Sequence, residues 1–143
     1  MTYNKERHKQ LVIRLLYLQS QGKTLFRENP EEDFELCRYN VGVEEEVYWT
    51  HRENFIIIMN NFVDNNLDFD EFEIAFSVLY EEVRKEVNKS KIDLEYIEKF
   101  EPSTRSYRFA SLIGSIYRQF EEVEDEYCTE QDVKDYILKS EIF

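Results

Sequence analysis

The chain has 143 residues, 42% of them apolar with 11 Phe and 10 Tyr, which excludes disorder and allows a core without metal or disulfide staples. Its formal net charge of −13 repels nucleic acid and anionic lipid at long range and favours encounter with basic partners, while also serving plain solubility. Cys37 and Cys128 alone make no disulfide framework, so reduced thiols in a cytoplasmic or plastid-stroma-like compartment are expected.

Apolar residues recur at three- and four-residue spacing nearly throughout, which predicts an all-α protein. A first helix is expected over about residues 4–20, with Leu11, Leu15 and Leu18 on one face and Gly22 just beyond its end. Asn29-Pro30 reads as a cap and first helical position, followed by Glu31, Glu32 and Asp33 in the favourable first turn. That helix is expected to be short, because Tyr39-Asn40-Val41-Gly42 reads as a break. From about 44 to 63, Val47, His51, Phe55, Ile58 and Phe62 form a stripe that Trp49, Ile56, Ile57 and Met59 widen, as in a central helix.

Asn65-Asn66 predicts a turn, and Asp68 with Glu71 a capping box opening a helix over about 69–88. Its inward residues are Phe72, Phe76, Leu79, Val83 and Val87. A short helix within 92–100 is stopped by Pro102. A long one over about 104–124 turns Phe109, Leu112, Ile113, Ile116, Phe120 and Val123 inward. Thr129 and Asp132 cap a last helix over about 130–139, where Val133, Ile137 and Leu138 dock. The expectation is one helical domain over residues 1–143, a bundle of about four to six amphipathic helices with short connections and no internal repeat.

The longest apolar run, Phe55-Ile56-Ile57-Ile58-Met59, falls far short of the roughly 20 residues of a membrane span. Leu11 to Leu18 is interrupted by Arg14 and followed by no small-residue cleavage site, so no signal peptide is expected. Scarce Gly and Pro with abundant Asn, Lys, Ile, Tyr, Phe and Glu suggest an AT-rich genome, such as that of a plastid, a phage or a mobile element.

Asp64 to Phe72 resembles half of a calcium loop. Counted from Asp64, however, the position that needs Gly is Phe69 and the closing carboxylate is replaced by Ala75. A turn and a helix cap are therefore expected there. His8 and His51 are the only histidines, and no CxxC, HExxH, glycine-rich phosphate loop or Gly-x-Ser-x-Gly frame occurs. His51 is expected at the core edge, held by a carboxylate. No metal, cofactor or catalytic residue is assigned, and an enzyme is not expected.

Charge is unevenly placed. Residues 1–27 carry +5, from Lys5, Arg7, Lys9, Arg14, Lys23 and Arg27 against Glu6, and the rest carry −18. So acidic a molecule is no nucleic-acid binder, and these bases are expected to pack against its own acids. Residues 121–135 hold eight acids against Lys134 alone. Glu121, Glu122, Glu124, Asp125, Glu126, Glu130 and Asp132, with Tyr127 in the loop, are the candidate partner-binding residues. Acids spaced around an aromatic anchor imitate a nucleic-acid backbone and fit a basic cleft. The other reading of the same run is a solvated inter-helix corner.

The segment Asn61-Phe62-Val63-Asp64-Asn65-Asn66-Leu67-Asp68-Phe69-Asp70-Glu71-Phe72-Glu73 is an apolar helix end, a polar turn and a Glu-Phe-containing helix start. With Phe109 to Phe120 and the capped turn Val123-Glu124-Asp125-Glu126-Tyr127-Cys128-Thr129-Glu130-Gln131-Asp132-Val133, it resembles small bacterial immunity proteins of the colicin D type. The resemblance covers about residues 55–140. Residues 1–54 form an N-terminal extension without a placed counterpart, and 89–103 look like an insertion. It implies an acidic helical bundle that blocks the basic active site of a tRNA-cleaving toxin.

Two functions are thus expected. The first is an immunity-like inhibitor that occludes a basic protein partner, a toxin nuclease or another nucleic-acid-binding protein, with no direct nucleic-acid contact. The alternative is a non-catalytic structural or accessory subunit of a larger assembly, such as an organellar one, with Tyr48, Tyr107, Tyr117 and Phe143 left exposed as anchors.

Overall fold

The computed structural model describes residues 2–140, and every described element is an α-helix. The order is α1 (Lys5–Ser20), α2 (Leu25–Glu28), α3 (Pro30–Thr50), α4 (Arg52–Val63), α5 (Phe69–Ser90), α6 (Leu94–Lys99), α7 (Thr104–Glu124) and α8 (Glu130–Lys139). Eight helices exceed the four to six expected, because the short α2 and α6 occupy two connections.

The main core lies among α3, α4, α5, α7 and α8 and is built on aromatic rings. Phe72 stacks on Phe62 with ring centroids 4.2 Å apart and meets Phe120 edge-on at 5.5 Å. Such pairs add about 0.5–1.5 kcal/mol each beyond the area they bury. A second cluster joins Leu11 and Val12 of α1, Leu25 of α2, Leu36 and Tyr39 of α3, and Ile97 of α6. Residues 1–54 and 89–103, which the family resemblance leaves out, therefore pack on each other through α1 and α6.

Two boundaries differ from the expectation. The predicted break at Tyr39-Asn40-Val41-Gly42 lies inside α3, which runs unbroken for 21 residues. Leu36, Tyr39, Val43 and Val47 are all buried at helical spacing. That burial outweighs the roughly 1 kcal/mol a mid-helix glycine costs. Gly42 serves packing, since a Cβ there would stand 3.2 Å from Cζ of Phe100. The predicted 44–63 helix instead divides at His51, whose backbone (φ −96°, ψ 12°) departs from helix. His51 Nε2 meets the Glu86 carboxylate of α5, as its expected role at the core edge requires. Arg52 donates to the Trp49 carbonyl at 3.0 Å, so it satisfies an orphan acceptor at the end of α3.

The division also re-aims the stripe. Phe55, Met59 and Phe62 are buried, Ile58 is half-buried and Ile57 is exposed. Leu138, expected to dock, is 53% exposed, and α8 is held by Val133 and Ile137.

The predicted turns and caps at Asp68 and Thr129 are present as full capping boxes. The α4–α5 and α7–α8 turns are alike residue for residue. Asn65 (φ 62°) and Glu126 (φ 64°) both take the left-handed conformation. Asn66 N–H bonds the Asn61 carbonyl and Tyr127 N–H the Glu122 carbonyl, each at 2.8 Å. Asp68 and Thr129 then cap. The chain thus repeats a turn that its side chains conceal. Side-chain oxygens cap six helices, from Asn4, Thr24, Asn29, Asp68, Asp93 and Thr129; α4 and α7 start without one.

Candidate functional site

The candidate acids occupy one helix–turn–helix corner. Glu121, Glu122 and Glu124 sit in the last turn of α7, Asp125 is its C-cap, Glu126 and Tyr127 form the turn, and Glu130 and Asp132 open α8. Glu130 and Asp132 complement the positive start of a helix. Glu121, Glu122 and Glu124 do the opposite, since the last turn of α7 is the negative end of its dipole and holds no base. Tyr127 projects from the turn with 84% of its surface exposed.

No ion pair among the described residues involves an acid between 121 and 135. The one base of the run, Lys134, reaches the neutral amide oxygen of Asn65 and lies 5.0 Å over the Phe62 ring. Asp132 has a structural task, accepting the Thr129 N–H at 2.9 Å. Glu122 and Asp132 stand beside Cys128, whose thiol is pushed up first by burial and then by these charges.

The acidic face extends beyond the predicted residues. The carboxyl of Glu73 on α5 is raised above the ordinary Glu value by burial, then by Asp70 and Glu124. Asp70 and Glu73 therefore belong to the same field. Acids at the start of α5 were legible in the sequence, but only the packing of α5 on α7 places them beside Glu124.

Along α1 charge is compensated. Lys5 pairs with Glu101 at 3.0 Å, Arg7 with Glu35 at 2.8 Å, Lys9 with Glu98 at 2.6 Å and Arg14 with Glu32 at 3.1 Å. Lys5, Arg7, Lys9 and Arg14 thus rest on the protein's own acids, as expected, whereas Lys23 and Arg27 enter no ion pair among the described residues. Arg7 holds the Glu35 carboxyl below its ordinary value, and Lys9 does the same to Glu98.

Of the expected anchors, Tyr107 is 62% exposed, but Tyr48 is buried in the core. Tyr117 is half-buried, with its ring stacked on Tyr80 at 3.8 Å. Phe143 lies outside the described residues.

Exposed carboxylates of this kind supply a field rather than proton transfer, which needs carboxylates in a dry cleft. Among the described residues no three His, Cys, Asp or Glu side chains are grouped to hold a metal ion. No described helix is long and apolar enough to cross a membrane. Comparison with protein-family models, with curated proteins and with solved structures finds no match to this chain.

Proposed function

We propose that the chain is an acidic protein-binding module, an immunity-like inhibitor that occludes a basic nucleic-acid-binding or nuclease partner. The observation that carries this reading is the α7–α8 corner, where acids without ion pairs surround an exposed tyrosine against the helix dipole. The matching α4–α5 turn supports it, because Asn60, Asn61 and Asn65 fill the places of Glu121, Glu122 and Glu126 there without charge, while Asp64 matches Asp125. The turn geometry does not require acids at 121, 122 and 126, which supports a role for them outside the fold.

The test is capture of partners on the tagged chain from its native extract at low and high salt. One basic partner, released by salt and inhibited by the chain, is the expected result. Reversing Glu121, Glu124 and Glu126 to Lys should slow association with that partner about tenfold or more and flatten its salt dependence. Unchanged association kinetics would remove these residues from the interface.

The second reading, an accessory subunit of a larger assembly, draws on exposed Ile13, Phe26, Phe34 and Ile74. A salt-resistant set of captured subunits would favour it and retire the inhibitor reading.

A further inference from the structure

Among the described residues, one cavity gathers positive charge with no carboxylate in its lining. Arg52, Arg105 and Arg108 line a cavity of about 500 Å³ together with Trp49, Phe109 and Ser140. The guanidinium carbons of Arg52 and Arg105 lie 4.5 and 5.0 Å from the centre of the Trp49 ring. None of the three arginines enters an ion pair among the described residues, in a chain with 31 acids and 18 lysines and arginines.

Three guanidiniums facing one cavity repel each other, and among the described residues no acid lines its walls. The helix ends add to the same field. Arg105 lies in the first turn of α7, which holds no acid, and Arg52 opens α4, whose first turn also holds Glu53; these are the two helices without side-chain caps. Departures from local rules that converge in one direction mark a functional site. The guanidinium cluster and its cavity carry the inference, and the helix ends reinforce it.

We propose that this cavity binds a small organic polyanion with a planar apolar part, of the class of nucleoside di- and triphosphates. Guanidinium groups present paired N–H donors that match phosphate oxygens. Three fixed positive charges are balanced by a di- or triphosphate, whereas a single carboxylate leaves two uncompensated. The volume falls in the range of about 300–1,000 Å³ that small ligands fill. Trp49, Ile56, Phe109 and Leu112 supply an apolar wall for a flat ring. A nucleic-acid strand fits less well, because its length would run from this cavity over a surface of net charge −13.

Trp49 is the chain's only tryptophan, so its fluorescence reports on the cavity directly. The whole protein is titrated with ADP and with pyrophosphate, following Trp49 emission and, independently, calorimetric heat. Saturable binding of ADP, with pyrophosphate weaker, is expected. The double variant Arg105→Gln/Arg108→Gln should weaken ADP binding about tenfold or more. The double variant Lys85→Gln/Lys89→Gln, an equal charge change at exposed positions of α5, should leave it unchanged. Arg105 and Arg108 are exposed, so circular dichroism should show the helices intact; Arg108→Gln alone serves if they are not.

No saturable response up to about 10 mM ADP would overturn the proposal on the usual affinity scale. So would binding that survives the double variant, or an oligonucleotide that binds where ADP does not. Equal binding of pyrophosphate would overturn the planar part of the assignment.

Discussion

Glu126 carries both strain and charge, and removing it separates the two. Its φ of 64° puts an L-residue in the left-handed region, at a cost of about 1–2 kcal/mol. Glycine there removes that cost but loses about 0.4–1 kcal/mol through the greater freedom of its unfolded chain. Glu126→Gly is therefore expected to stabilise the protein by about 0.5–1 kcal/mol, or roughly 2–4 °C in Tm for a chain of this size. Glu126→Asn should follow the same direction, since Asn65 already occupies the equivalent turn at φ 62°. Glu126→Ala removes the charge and keeps the backbone strain, so it should gain little. Thermal and urea unfolding of the four proteins measures the series. An alanine variant as stable as the glycine variant would show that charge repulsion, not backbone strain, sets the cost. Loss of stability in all three would show that the Glu126 side chain holds the corner together.

Two further outcomes follow from the core. Gly42→Leu improves helix propensity by nearly 1 kcal/mol, yet it should destabilise by about 1–3 kcal/mol, because its side chain meets the Phe100 ring; a rise in urea midpoint would mean that Gly42 is not a packing residue. His8 is fully buried between the Tyr3 hydroxyl at 2.9 Å and the Asn40 amide oxygen at 3.2 Å, and burial lowers its pKa. The unfolded state then binds a proton more readily, so this contribution is complete above about pH 6.5 and is lost as pH falls, at up to about 1.4 kcal/mol per unit until the folded value is reached. Urea unfolding at about pH 7.5 and 5.5 should show a steeper loss for the parent than for His8→Gln, and equal slopes would exclude His8 as the source.

Elements that depend on short-range chemistry were legible in the sequence. The end of α1 and the starts of α5 and α8 follow from Gly22, Asp68 and Thr129, whose turning or capping is local. The division at His51 was not legible, because continuous apolar residues on both sides satisfy a helical period equally well. Only the partners Glu86 and the Trp49 carbonyl reveal it. Gly42 misled for the complementary reason, since its lack of a side chain answers to Phe100, far away in sequence. The acidic corner was visible as composition. Its lack of ion pairs, its placement against the α7 dipole and its extension to Asp70 and Glu73 depend on how helices meet. The arginine cavity was invisible, because Arg52 and the pair Arg105 and Arg108 come from separate helices.

The second apolar cluster has a consequence for the order of assembly. Ile97 of α6 completes a cluster otherwise drawn from α1, α2 and α3, and Lys9 reaches Glu98, 89 positions further along the chain. Closing so long a loop costs entropy that a small cluster repays slowly. The adjacent hairpins α4–α5 and α7–α8 close over only a few residues, which makes them early nuclei for the aromatic core. α1 and α6 then dock as a pair, closing a cluster to which α2 and α3 also contribute. The same pair is the first to separate under stress, so the N-terminal helix is a clasp whose opening leaves the larger core standing.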